Sequence, residues 1–314
     1  VIGYILRRLV ALGLTLLAAA LVIFVVLEIL PGDPAAVTLG LNAAPEALAA
    51  LRAEMGLDKP AVLRFFLWLG GLVTGDLGQS YTYRVPVLQL IAERTAVTLP
   101  LALMAIALAM AIGIPLGMLA ASRHGRLADA GVMAFAQAGL AIPNFWFGLL
   151  LVLVFAVGLG WLPAGGFPGW QSGFGTALKA LLMPALALAL PQAAIIARVT
   201  RSSMLDTLQE DFVRTARAKG LSEGTTMRRH ALRNALIPVV TILGLQFSVL
   251  IAGAIIIENV FALPGLGRLV FQAIAQHDLI VVKDLVMLFA GLAILINFAV
   301  ELLYGLIDPR LRQS

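Results

Sequence analysis

The chain has 314 residues, of which 61% are apolar and 12% charged, with a formal net charge of +5 and no cysteine. Soluble domains average about 45–50% apolar and about 25% charged, so this composition excludes an ordinary soluble domain and marks an integral membrane protein. The lack of cysteine excludes disulfide frameworks and thiolate chemistry, and the positive charge reads as loop charge on a cytoplasmic face rather than a nucleic-acid footprint.

Arg7 and Arg8 precede an apolar run from Leu9 to Leu30. The run is longer than the apolar region of a signal peptide and no small-residue cleavage pattern follows it. Residues 1–30 are therefore predicted as a cytoplasmic amino end and a first transmembrane helix. Residues 31–95 read as an extracytoplasmic segment with short helices. Pro45 opens one, with Leu48, Leu51 and Met55 on a single face before Gly56 stops it. Pro60 opens another through Phe65, Phe66, Trp68 and Leu69. It is expected to break at Gly70-Gly71 and to pack at the membrane surface, being too short to span. A loop follows at Gly75 to Gly78, and Pro86 to Arg94 reads as a lead-in helix.

Residues 96–308 read as a five-helix core. Its spans are Ala96–Ala121, carrying Gly113 and Pro115; Gly131 to about Leu159, interrupted at Pro143-Asn144; Ala180–Ala197, carrying Pro184 and Pro191; Leu236–Ile257; and Leu285–Ile307. Such runs approach the roughly 20 residues that cross a hydrocarbon core. The connections are a basic loop at Ser122–Arg126, a Gly/Pro-rich loop at Trp161–Lys179, a charged stretch at Arg198–Asn234, and a loop at Glu258–Asp284; residues 309–314 form a cytoplasmic tail. The predicted fold is an all-α membrane protein with six transmembrane helices and both termini cytoplasmic. On that topology fourteen Lys and Arg lie inside and eight outside, the bias expected of cytoplasmic loops.

The charged stretch carries eight basic and four acidic residues over 37 positions. Phe212 to Lys219 reads as a helix closed at Gly220, which takes the left-handed conformation, with Leu221 contacting the last turn. Ser222 then caps a second helix running to about Ala235. A basic loop that only sets topology accounts for the charge. It leaves the helix–glycine–helix pattern without a purpose, and that pattern suits the docking of a soluble partner.

Catalytic signatures are missing from the sequence. There is no Gly-x-x-x-x-Gly-Lys-Ser/Thr phosphate loop and no His-Glu-x-x-His, and Gly265 to Gly267 is a turn, so energy from nucleotide hydrolysis must come from another chain. His124, His230 and His277 fall in three separate polar loops and read as solvated or capping residues. A non-catalytic chain without cofactor or metal is expected. Polar residues inside spans face a protein interior or a cavity; here they are Glu28, Gln137, Asn144, Gln192, Gln246, Asn297 and Glu301, the two acids near helix ends. Asn144 and Gln192 each follow a proline that frees a backbone carbonyl. With Gln246 they are candidates for lining a translocation path, the alternative being helix–helix hydrogen bonds.

The loop Arg214-Thr-Ala216-x-x-x-Gly220, with His230-Ala-Leu-Arg-Asn-Ala-Leu-Ile-Pro238 after it, resembles the EAA loop of ABC-importer inner-membrane subunits. It departs from that pattern at Arg214 and Thr215 and at Leu232-Arg233, in the manner of the dipeptide/oligopeptide branch. Further similarities run along the chain in order: Leu30-Pro-Gly-Asp-Pro34, Met55-Gly-Leu-Asp-Lys-Pro60, Gly75-Asp-Leu-Gly-Gln-Ser80, Leu162-Pro-Ala-Gly-Gly166, Glu258-Asn-Val-Phe261, Pro264-Gly-Leu-Gly267 and Asp308-Pro-Arg310. The resemblance favours the first of two paired permeases. It implies a second related permease, two cytoplasmic ATP-binding subunits that hold ATP and Mg2+, and an extracytoplasmic substrate-binding protein. It also implies that Phe212, Arg214, Ala216, Arg217, Lys219, Gly220 and Leu221 form the ATPase-coupling loop. Short peptides are the implied cargo, with nickel or glutathione as alternatives within the family. A stand-alone ion-coupled carrier or channel is the alternative from another class, and it calls for ionisable residues near mid-membrane.

Overall fold

The computed structural model describes residues 2–29, 34–39 and 44–307. In chain order its helices are α1 (Ile2–Ile29), α2 (Pro34–Leu39), α3 (Pro45–Glu54), α4 (Ala61–Thr74), α5 (Val87–Ser122), α6 (Leu127–Ala141) and α7 (Asn144–Leu151), which continues as a π-helix over Val152–Gly158. Then come α8 (Phe174–Thr207), α9 (Asp211–Ala218), α10 (Glu223–Thr225), a π-helical stretch Thr226–Ala231, α11 (Leu232–Val260), α12 (Leu266–Ala275) and α13 (Leu279–Ile307). No strand occurs among the described residues beyond an isolated bridge between Gln79 and Pro86. Five helices are long and apolar enough to cross a membrane, and a sixth span results if the bent pair α6–α7 counts as one.

Several boundaries differ from the sequence expectation. The predicted lead-in helix at Pro86–Arg94 and the second span are one continuous helix, α5, which carries Pro100 as well as Pro115. The helix opened by Pro60 does not break at Gly70-Gly71 but runs to Thr74 and closes on a left-handed Gly75. Gly71 is needed for another reason: a side chain there would collide with the backbone carbonyl of Asp76, where the chain folds back. The fourth span begins at Phe174 and extends to Thr207 through the first residues of the charged stretch. The helix started by Ser222 does not stop near Ala235 but continues through α10 and the π-helical stretch into α11, so it is the foot of the fifth span. The third span is bent by 100° between α6 and α7. The loop expected at Glu258–Asp284 holds α12 and the start of α13. Arg310, Arg312 and the motifs at Pro31–Asp33 and Asp308–Arg310 lie outside the described residues.

The chain forms two compact units, residues 1–98 with 264–314, and residues 99–263. In the first unit α1 packs along α13 and α4 packs on α1. Most of α1 is exposed and apolar, including Leu6, Val10, Leu14, Leu21 and Val26, the surface a lipid-facing helix presents. The outer segment is tied to α13 by polar groups. Asp278, fully buried, accepts from Ser80 Oγ and from the Thr82 backbone N–H, and Trp68 Nε1 donates to Asp284 at 2.7 Å. Two long-range ion pairs, Arg64–Glu28 and Arg8–Glu301, fasten the helix ends.

In the second unit α8 is the central helix, packed on α6, α7 and α11. Its buried face is rich in alanine, from Ala177 to Ala197, which lets neighbouring backbones come close, as small residues do in membranes. Gly113 and Gly117 of α5 sit against it. A Cβ at Gly113 would lie 2.7 Å from the Ala193 carbonyl oxygen, and one at Gly117 would lie 2.6 Å from that of Ala197. Gly113 is therefore a position of close helix packing.

Candidate functional site: the charged loop and the α8–α11 seam

The charged stretch folds into a short helix set between two long ones. α8 ends at Thr207, a three-residue turn follows, and α9 begins at Asp211. Asp211 lies in the first turn of α9 and Arg217 in the last, the charge order that complements the helix dipole. Val213 and Ala216, three apart, are the buried face, whereas Phe212, Arg214, Arg217 and Lys219 are exposed. The helix closes as the sequence rules require. Gly220 adopts φ +84°, its N–H donates to the Arg217 carbonyl, and the Leu221 N–H donates to the Ala216 carbonyl, the paired bonds of a Schellman ending. A Cβ on Gly220 would meet nothing within 4 Å. The constraint there is the left-handed backbone conformation. Ser222 Oγ accepts from the Thr225 N–H, and the helix it starts rejoins the membrane as α11.

Ala121 of α5, Met204 of α8, Ala231 and Ala235 form a buried apolar cluster, and Ser203 Oγ donates to the Ala235 carbonyl at 2.9 Å. The feet of α8 and α11 are thus fastened where the loop leaves and re-enters.

One polar cluster on this side escaped sequence reading. Arg201 of α8 donates through Nε and Nη2 to both carboxylate oxygens of Asp129, at 2.5 and 2.8 Å. His124 Nδ1 lies 3.1 Å from the same carboxylate, so His124 is not simply a solvated loop residue. Asp129 is 5% exposed and also accepts from the Gly125 N–H. The cluster joins the α5–α6 turn to α8. His230 lies in the π-helical stretch rather than in a loop, and His277 takes a positive φ of 57° before α13.

Of the three candidate path residues, Gln192 and Gln246 meet between α8 and α11 in a helix–helix hydrogen bond, the alternative to a path, and Asn144 lies farther along α11. Gln246 Nε2 donates to Gln192 Oε1 at 2.6 Å, and Gln192 is buried. Asn144 opens α7 immediately after the bend, and its amide lies 3.3 Å from the position a Cβ would take on Gly253. Gly253 is seven residues beyond Gln246, about 10 Å along one face of α11. Arg198 donates to Gln137 at 3.0 Å, joining α8 to α6. Two motifs that sequence reading kept apart also meet: the Gly166 N–H donates to the Phe261 carbonyl at 2.7 Å. No spacing rule signals that pairing.

The described residues thus form a helical membrane subunit with a short charged helix, α9, set between the ends of two long helices. Residues 113–313 match the family described as binding-protein-dependent transport system inner membrane component, and residues 1–102 match its N-terminal counterpart. The chain belongs to this family and is a multi-pass inner-membrane permease subunit of an ABC importer. It is 45% identical over 298 residues, 95% of each chain, to a Brucella abortus protein described as a peptide transport system permease. It is 40% identical to the di/tripeptide transport system permease protein DppB of Pseudomonas aeruginosa, covering 100% of this chain and 99% of that one. The glutathione transport system permease protein GsiC of Salmonella choleraesuis is 41% identical over 99% of each. Among solved structures, the inward-facing methionine ABC transporter MetNI aligns at a TM-score of 0.57 and 21% identity, over 70% of this chain and 97% of that chain. That likeness concerns the fold.

Proposed function

We propose that the chain is the first of two paired permeases importing di- and oligopeptides, with its loop at Arg198–Asn234 and both ends in the cytoplasm. Its partners are a second permease, two ATP-binding subunits that hold ATP and Mg2+, and an extracytoplasmic binding protein. The chain itself is non-catalytic. The observation that carries this reading is α9, a short helix with two small buried residues inward and Phe212, Arg214 and Arg217 outward, joined at either end to the helices that bear Gln192 and Gln246. Closure of the ATP-binding subunits moves α9. The fastened feet of α8 and α11 pass that motion to the seam, where Asn144, Gln192 and Gln246 border the path once the Gln192–Gln246 hydrogen bond opens.

The test is ATP hydrolysis by the complex purified through this chain, with di- and tripeptides and the binding protein added. Stimulation by peptides supports the reading; stimulation by glutathione alone assigns the chain to the other branch represented among its relatives, and purification of a lone active chain defeats it. Cysteine substitutions at Asn144 and Gln192 test the path: each should react with a water-soluble thiol reagent in at least one nucleotide state, and resistance in every state removes these residues from the path.

A further inference from the structure

The first unit contains a cavity of about 270 Å3 at the end of α1, between α4, the turn at 76–81 and the start of α13. Its position along the membrane normal follows from its walls. The α1 span runs to Ile29 and the α13 span begins at Leu279, and the cavity is lined by Leu27 and Glu28 from one and by Ile280 and Lys283 from the other. Ends of two spans meet at the boundary between hydrocarbon and water.

The cavity's chemistry is cationic on an aromatic floor. Lys283 Nζ lies 4.8 Å from the Trp68 ring centroid and 5.9 Å from that of Phe24. Its ammonium has no hydrogen bond or ion pair among the described residues, so its N–H donors are directed only at rings and at the cavity. Arg64 pairs with Glu28 and also donates to the Lys59 carbonyl at 3.2 Å. Lys59 is exposed at the rim. Tyr81 contributes a hydroxyl whose pKa is raised by burial and, after that, by the charge of Asp278, so it stays a neutral donor. The lining holds Lys59, Arg64 and Lys283 against Glu28 and Asp76, an excess of one positive charge. Beside the mouth, α4 turns Leu63, Phe66 and Leu67 outward, and Leu67, itself a lining residue, is 54% exposed.

A half-buried ammonium with unused donors, at headgroup level and bordered by outward apolar side chains, has the chemistry of a lipid phosphate site. We infer that this cavity binds the phosphate of an anionic phospholipid, with Lys283 and Lys59 contacting the phosphate and the acyl chains lying on the exposed faces of α1 and α4. The inference rests on membrane insertion and not on the identity of the cargo, so it survives or fails independently of the peptide reading.

The assembled transporter is stripped of lipid in detergent, supplied with equal amounts of phosphatidylglycerol and phosphatidylcholine, and weighed intact by native mass spectrometry. The wild type should retain phosphatidylglycerol over phosphatidylcholine by about five-fold, the effect of one basic residue at a headgroup surface. Lys283→Met should abolish the preference and Lys283→Arg should keep it, whereas millimolar inorganic phosphate should not displace the lipid. Should Lys283→Met fail to assemble, Lys59→Gln at the rim should still lower the preference measurably. Unchanged preference in every variant that assembles overturns the inference, as does equal retention of both lipids in the wild type. Displacement by inorganic phosphate makes this a free-anion site instead. If the variants leave the lipid in place and weaken docking of the binding protein, the cavity takes a protein carboxylate and the lipid assignment is wrong.

Discussion

The outer segment after α1 and the charged loop before α11 are both made of short helices joined by glycine turns, yet they are held differently. The outer segment is tied to distant parts of the chain by buried carboxylates, an indole hydrogen bond, an ion pair and the rings of Phe24, Phe65 and Trp68. Helix α9 has only Val213 and Ala216 buried, and its one side-chain ion pair among the described residues, Arg214 to Asp211, is local and solvent-exposed. Long-range buried polar bonds hold the outer segment, whereas α9 rests on two apolar contacts, as the proposed coupling role requires.

Trp68→Ala breaks the comparison most forcefully. It removes the ring packed on Phe24 and Phe65, the bond to Asp284 and the platform for Lys283. It should cost about 3–5 kcal/mol, as truncation of a large buried aromatic does. Thermal melting of the detergent-solubilised complex should drop by several degrees, while the surviving protein keeps its ratio of peptide moved to ATP hydrolysed. A lowered ratio at unchanged melting would mean the outer segment is a moving part.

Gly220→Val should have the opposite profile. Forcing a β-branched residue to φ +84° costs roughly 1–2 kcal/mol of backbone strain, confined to a turn with open space around it. Melting should hardly change, and transport per ATP should fall several-fold because α9 no longer ends in the same direction. Normal transport by this variant would show that the closure does not set the direction of α9. Val213→Asp sharpens the same point: a carboxylate in place of a buried valine should release α9 from the feet of α8 and α11, detected as protease sensitivity near residue 210. Arg214→Ala lies at the small end. It removes an exposed pair of a kind that contributes little to stability, so melting should stay the same, and any loss of ATPase recruitment in a pull-down would come from the partner's surface.

What the sequence made legible follows the range of the forces involved. Closure at Gly220, the cap at Ser222, and the helix starts at Pro45 and Pro60 depend on neighbours within a few residues, and each could be anticipated. The run of α4 through Gly70-Gly71 could not, because what selects Gly71 is the carbonyl of Asp76 returning over it. A helix from Ser222 to about Ala235 was legible, but not its continuation into the fifth span, because the charged foot and the apolar span read as separate elements until the cluster around Met204 and Ala235 joins them. Asp129, Asp278 and Lys283 gave no signal: a charged residue near a span end reads as solvated until a distant partner such as Arg201, Ser80 or Trp68 is brought to it. Gln192 and Gln246 were singled out for residing in spans, but their direct hydrogen bond depends on how α8 and α11 are turned.

The 100° turn between α6 and α7 bears on how the chain is made. Backbone groups freed at such a corner need a partner inside a bilayer, and the helix that packs on both arms is α8, with Gly139 close to Ala194 and Gly148 close to Ala187. Synthesis delivers the corner before α8. A ribosome that has made residues 127–158 but not 174–207 therefore leaves a corner without the helix that packs on both its arms.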